Sequence, residues 1–133
     1  MGRLFLDANV LFSAAYEVDA GLLKLWKLKN VSLCSSRYAL EEAKGNPSHP
    51  SQHARLNRLS NNLNLFDPAP RELPPGVSLP EKDIPILLAA LAAEATHLLT
   101  GDKRHFGPYS GKSIEGMIVL TPGAYLKKYA GGG

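Results

Sequence analysis

Cysteine is almost missing from this chain: Cys34 is the only one in 133 residues, which excludes an intrachain disulfide and a cysteine-based zinc site. Long apolar runs are missing as well. The longest, Ile84 to Ala93, is about half of the ~20 residues that a bilayer span needs, and Pro85 interrupts it. The N-terminal MGRLFLD lacks the apolar run and cleavage site of a secretory signal. A cytoplasmic protein with no membrane association is expected. There is no internal repeat and no arginine-rich run, and with 44% hydrophobic and 20% charged residues the chain is neither disordered nor collagen-like.

What is present suits one domain with a buried core. Short apolar runs alternate with helical periodicity. Arg3–Asp7, Val31–Ser35, Leu63–Phe66, His97–Thr100 and Met117–Leu120 read as strands. Asp19 reads as the N-cap of a helix carrying Leu22, Leu23 and Trp26 on one side, and Ser36 as the N-cap of another running to about Lys44. A polar helix is expected near Ser51–Asn61, a strongly apolar and therefore buried one over Asp83–Ala95, and a last one near Pro122–Tyr129. Asp67–Pro80 holds five of the ten prolines and must be an irregular connection. Neither side of it has enough elements to bury a core alone, so it is read as a loop within one domain over residues 1–130, with 131–133 a flexible tail. Strands alternating with helices imply right-handed parallel βαβ units. The expected fold is α/β, an open parallel sheet of four to five strands with helices on both faces.

In such sheets ligands bind beyond the carboxyl ends of the strands, where the strand order reverses. Asp7 ends the first strand, and Asp102 follows the fourth in HLLTGDKRHFG. Asp83 opens the buried helix in LPEKDIPILLAALAAEA. Glu42, in the helix after the second strand, is the fourth candidate. Each has an ordinary alternative: Asp7 as N-cap of the helix that follows, Asp83 as N-cap before Pro85, Asp102 as a turn residue after Gly101, Glu42 as a solvated helix residue. Their coincidence at one rim is what favours a shared site. Glu41 competes with Glu42. It lies almost opposite the Ala39, Leu40 and Ala43 face and can pair with Arg37, whereas Glu42 flanks that face.

Four carboxylates in one crevice repel one another unless a hard cation neutralises them. Oxygen ligands without Cys or paired His select Mg²⁺ or Mn²⁺ over zinc. Such an ion lowers the pKa of water and stabilises charge on phosphoryl oxygens, which is the equipment for phosphodiester hydrolysis. Asn9 and Thr100 stand beside the acids and are placed to orient a carboxylate or a water. Net charge agrees with a polyanionic partner. The chain carries +3, and fifteen Lys and Arg against the eight other acids leave +7 outside the crevice.

The spacing Asp7-x-Asn9, Glu42, Asp83 and Thr100-Gly101-Asp102 resembles the PIN-domain nucleases, above all the small stand-alone type similar to the VapC-family toxins. The resemblance spans nearly the whole chain and is strongest from Lys82-Asp83-Ile84-Pro85 through His97-Leu98-Leu99-Thr100-Gly101-Asp102 to His105-Phe106-Gly107. It implies a three-layer α/β/α sandwich and Mg²⁺- or Mn²⁺-dependent endoribonuclease activity. Asp7, Glu42, Asp83 and Asp102 take the catalytic and metal-binding positions, and Asn9 and Thr100 the supporting ones. It further implies an RNA substrate, a homodimer and an antitoxin protein that masks the crevice. Many members carry another acid two or three residues after the Thr-Gly-Asp aspartate. Here Arg104 and His105 stand there, which leaves either one metal bound more tightly than a second, or Lys103 and His105 as contacts to the RNA phosphate.

Two readings of other classes remain. One is a non-catalytic RNA- or protein-binding module on the same fold. The other is a receiver-like phosphoacceptor domain, which needs adjacent acids after the first strand and a lysine after the last; the chain has Asp7-x-Asn9 and Thr121-Pro122 instead. His49 and His53, four apart, have no evident third metal ligand and are read as solvated, and His97 as structural. Cys34 is read as a small buried hydrophobe, and Arg55 and Arg58 as a solvated face before phosphate contacts.

Overall fold

Strand β1, Gly2–Leu6, is the centre of the molecule. Its Leu4, Phe5 and Leu6 are all fully buried, as a strand covered on both faces requires. The structure is a computed structural model describing residues 2–16, 20–45 and 49–129. β1 is flanked on both sides by parallel partners, β2 (Val31–Ser35) and β4 (His97–Leu99). β3 (Asn64–Leu65) extends the sheet beyond β2, and β6 (Met117–Leu120) pairs in parallel with β4. β5 (Ser113–Ile114) closes the far edge, antiparallel to β6. The order is β3-β2-β1-β4-β6-β5.

The α/β class with a mainly parallel central sheet is the one expected, but the sheet has six strands, not four or five. The additional one is β5. It forms a hairpin with β6 through Glu115 and Gly116, both at positive φ (50° and 88°), the backbone that a two-residue hairpin turn demands. Arg71 makes two hydrogen bonds to Glu115, at 2.9 and 2.6 Å, and so ties the long proline-rich connection to this hairpin.

The described α-helices are α1 (Ala8–Tyr16), α2 (Arg37–Lys44), α3 (Pro50–Ser60), α4 (Ile84–Ala92) and α5 (Pro122–Tyr129). Ser36 caps α2 as expected, its hydroxyl accepting from the Ala39 N–H at 3.1 Å. α4 buries Ile86, Leu87, Leu88, Ala89 and Ala90. The helix expected after Asp19 differs. Asp19 lies outside the described residues, and Gly21–Lys27 is a 3₁₀ helix. Its three-residue turn stacks Leu22, Leu25 and Leu28 on one side, so Leu25 is the fully buried residue while Leu22 and Trp26 are half-buried. The Trp26 Nε1–H donates to the Leu59 carbonyl at 3.0 Å and anchors this segment to α3. The expected tail at 131–133 also lies outside the described residues. One hydrophobic cluster runs from Leu4 to Tyr125 and draws on both sides of the long connection. None of the described helices is long and apolar enough to cross a membrane.

The strand order places a site. From β1 the chain moves outward to β2 and β3, then crosses back to β4 on the other side of β1. The order therefore reverses between β1 and β4, and a crevice opens beyond their carboxyl ends. Those ends lead into Asp7 and Thr100-Gly101-Asp102.

Candidate active site

Asp7 continues the β1–β4 ladder, its N–H donating to the Leu99 carbonyl at 3.1 Å. Its carboxylate is buried and held from two sides. Oδ1 accepts from the Ala8 N–H at 2.6 Å, at the entrance to α1. Oδ2 accepts from the Thr100 hydroxyl at 2.8 Å and from Asn9 Nδ2 at 3.4 Å. Asp7 thus serves the helix start with one oxygen and the crevice with the other. Thr100 joins the two strand ends: its Oγ1 also accepts from the Asp102 N–H at 3.1 Å. Asn9 Oδ1 accepts from the Gly101 N–H at 2.8 Å. The approach is close: a Cβ at position 101 would stand 3.3 Å from Asn9 Oδ1, so a larger residue there would push on the Asn9 amide.

Asp83 ends the 3₁₀ turn Glu81–Asp83 and immediately precedes α4. Its side chain makes no capping bond to that helix, so the cap reading of Asp83 fails. Asp102 divides its roles as Asp7 does. Oδ1 accepts from the Arg104 and His105 N–H groups at 2.9 and 3.0 Å, a turn function, while Oδ2 faces the His105 ring.

The α2 helix decides between the two glutamates. Glu42 lines the crevice with Asp7, Ala8, Asn9, Phe12, Lys82, Asp83 and Asp102, a cleft of about 450 Å³. Glu41 points away, 72% exposed, and pairs with Lys44 at 3.6 Å rather than with Arg37. All four predicted acids therefore share one cleft.

Burial dominates the electrostatics. It pushes the Asp7 pKa up to about 6, with the Asp83 and Glu42 charges adding to the rise and the Thr100 and Ala8 hydrogen bonds opposing it. Burial also raises Glu42 and Asp83. Lys82 opposes both rises, and His105 opposes that of Asp83. At Asp102 burial is outweighed by the His105 and Arg104 N–H groups and by the His105 ring, and the pKa falls below the usual carboxylate range.

Three lining or neighbouring residues escaped the sequence reading. Lys82 places a cation on the cleft wall and Phe12 an apolar ring. Tyr38 stands one helical turn before Glu42, and its hydroxyl donates to the Lys82 carbonyl at 2.7 Å, fastening α2 to the turn that carries Asp83. The i, i+4 spacing from Tyr38 to Glu42 was the available signal.

The remaining candidates are placed as follows. Lys103 is exposed and lines a neighbouring cavity of about 240 Å³ floored by Phe106 and Val119. His105 faces Asp83 and Asp102. His49 and His53 are exposed. His97 is buried edge-on against Tyr125 and Tyr129. Arg55 corrects the expectation of a solvated or phosphate-facing side chain: it donates to the Ala15 and Tyr16 carbonyls at 2.9 and 2.8 Å, neutralising the carboxyl end of α1. Cys34 is fully buried, its thiol pKa pushed up to about 12 by burial.

No family model and no curated protein matches this sequence. Solved structures do match it. The chain is similar to one in VapBC2 from Rickettsia felis, crystallised with a DNA fragment from their promoter: 20% identity over 90% of this chain and 98% of that one, with a TM-score of 0.65. It is also similar to a chain of VapBC-1 from nontypeable Haemophilus influenzae: 16% identity over 91% of this chain and 98% of that one, with a TM-score of 0.57. Over nearly its whole length the chain thus shares its α/β fold with chains of these two VapBC complexes, in agreement with the fold that the family resemblance implied.

Proposed function

We propose that this protein is a Mg²⁺- or Mn²⁺-dependent endoribonuclease, a VapC-like toxin of a toxin–antitoxin pair, carried by one PIN-like domain over residues 1–130. The observation that carries the reading is the convergence of Asp7, Glu42, Asp83 and Asp102, from four separate parts of the chain, on one cleft at the point where the strand order reverses. The residues fit a divalent cation. Their side-chain donors are all carboxylate oxygens, the choice of hard ions, and Asp83 Oδ2 is buried without an aligned hydrogen bond. A buried oxygen without an aligned hydrogen bond costs free energy that a ligand would recover, and its polar neighbour is the His105 ring at 3.0 Å.

A divalent ion bound in this cleft would supply a more acidic water and neutralise charge on the phosphoryl oxygens, with Asp83 and Asp102 close enough together to hold it and Asp7 and Glu42 lining the same cleft. The chain's own residues do the rest. Thr100, Asn9 and the Ala8 N–H fix the Asp7 carboxylate before any ligand arrives, so its orientation costs nothing at the moment of binding. Lys82 offers a cation to a phosphate entering the cleft, and Lys103 to one beside it. The positive charge elsewhere draws in RNA of any sequence. The VapBC neighbours support an antitoxin as the protein partner, and a homodimer and a cytoplasmic site of action complete the proposal.

One observation favours the non-catalytic alternative: Asp102 is satisfied by its own turn and by His105 without any ion. The receiver-like alternative is disfavoured by topology, since that fold orders its strands 2-1-3-4-5. Cleavage of a mixed RNA panel decides the matter. Wild type is expected to cut with Mn²⁺ or Mg²⁺ and not in chelator. Asp7→Asn is expected to lose more than about a hundredfold in rate with its fold intact, beyond what partners of metal ligands usually contribute. Full activity in Asp7→Asn, or activity in chelator, rejects the proposal.

A further inference from the structure

The ring of His105 stands between two carboxylates. Its Nδ1 is 3.0 Å from Asp83 Oδ2 and 3.0 Å from Asp102 Oδ2. One N–H cannot align with both. The hydrogen bond is made to Asp102, and Asp83 Oδ2 is left buried without one, on a residue only 8% exposed. The ligand atoms of Asp83, Asp102 and His105 lie within 4.8 Å of one another, and no other such trio of His, Cys, Asp or Glu occurs among the described residues. The ring is also held in place. The His105 N–H donates to Asp102 Oδ1 at 3.0 Å, and the next side chain, Phe106, is packed in the core. His105 therefore faces the two acids, with its side chain 24% exposed.

We infer that His105 is a metal ligand through Nδ1, forming with Asp83 and Asp102 a mixed nitrogen and oxygen site that binds Mn²⁺ in preference to Mg²⁺. The inference rests on the reading of the cleft as a divalent metal site and adds the donor that decides which metal. Two carboxylate oxygens and one imidazole nitrogen lie within 4.8 Å of one another, and a cation among them would replace the Nδ1 proton, leaving the neutral ring as its Nε2–H tautomer with any extra proton released to water. Separations of 3.0 Å suit a shared proton, and they equally suit the edge of an octahedral shell with bonds of about 2.1 Å. Mg²⁺ takes oxygen donors and keeps its waters, so the nitrogen adds little for it. First-row transition ions gain from imidazole, and Mn²⁺ accepts both donor types. The same cation would also take the Asp83 oxygen, which His105 meets at 3.0 Å without an aligned hydrogen bond.

Electron paramagnetic resonance on the whole protein loaded with Mn²⁺ alone tests this. Wild type is expected to show hyperfine coupling to one directly bound imidazole nitrogen, changing to the ¹⁵N pattern when the protein carries ¹⁵N-labelled histidine. In His105→Asp that coupling is expected to vanish, and the ratio of Mg²⁺ to Mn²⁺ dissociation constants to fall by about tenfold or more. The isotope comparison needs no variant, so poor folding of His105→Asp does not weaken the test. Mn²⁺ bound with no nitrogen coupling, or coupling that survives in His105→Asp, overturns the inference and leaves the metal-site reading standing. No Mn²⁺ binding by wild type overturns both.

Discussion

Asp7→Asn separates folding from function at a single atom. In the folded chain the carboxyl titrates near pH 6 because it is buried beside Asp83 and Glu42; in the unfolded chain it titrates near 3.8. Below pH 3.8 both states hold the proton and nothing is lost. Between 3.8 and 6 the unfolded state releases it while the folded state keeps it, so stability falls as pH rises. Above 6 the folded chain must bury a charge, and the loss is complete. A shift of this size corresponds to about 3 kcal/mol. Asparagine keeps an oxygen for the Ala8 N–H and a polar group for Thr100 without the charge. In chelator at pH 7.5, urea unfolding is expected to show Asp7→Asn more stable than wild type by about 1–3 kcal/mol, the gap shrinking as pH falls below 5. With Mn²⁺ the gap closes or reverses: wild type gains about 2.7 kcal/mol at a hundred times Kd, and the variant gains far less. A variant less stable than wild type at pH 7.5 in chelator, or a gap independent of pH, would refute the account of Asp7 as a carboxylate strained by burial and relieved by a cation.

Two further substitutions probe neighbouring parts of the structure. Thr100→Val removes the hydroxyl that reaches Asp7 Oδ2. It is expected to cost about 1–3 kcal/mol in urea unfolding above pH 6 and to weaken Mn²⁺ binding in calorimetry by about tenfold or more, while unchanged metal affinity would deny Thr100 its positioning role. Arg55→Met keeps the aliphatic bulk but frees the Ala15 carbonyl at the end of α1 and leaves the Tyr16 carbonyl to Gln52. A loss of about 1–2 kcal/mol with unchanged Mn²⁺ affinity is expected, and a loss of affinity instead would place Arg55 in the site.

The elements legible in the sequence are those whose signal is local. β1, β2, β4 and β6 are short apolar runs, Ser36 is a cap three residues from the N–H it takes, and the proline-rich stretch cannot be regular. Where a segment is shaped by what it packs against, local reading failed. Gly21–Lys27 took the 3₁₀ period because leucines three apart could face the core together, and β5 is two residues that exist only because β6 accepts them. Arg55 looked like a surface charge because its partners lie forty and thirty-nine residues away.

The acids divide along the same line. The sequence by itself determined which carboxylates stand at strand ends and helix starts, since those positions follow from periodicity alone. That Glu42 rather than Glu41 lines the cleft also followed from the α2 period, which turns adjacent residues about 100° apart. Only the tertiary structure decided that Asp83 caps nothing, that Lys82 and Tyr38 join the acids, and that one imidazole nitrogen stands equally far from two carboxylates. Those facts depend on how α2, the turn before α4 and the loop after β4 meet in space. Distances between segments so far apart in the chain are set by core packing, which no single stretch of sequence encodes.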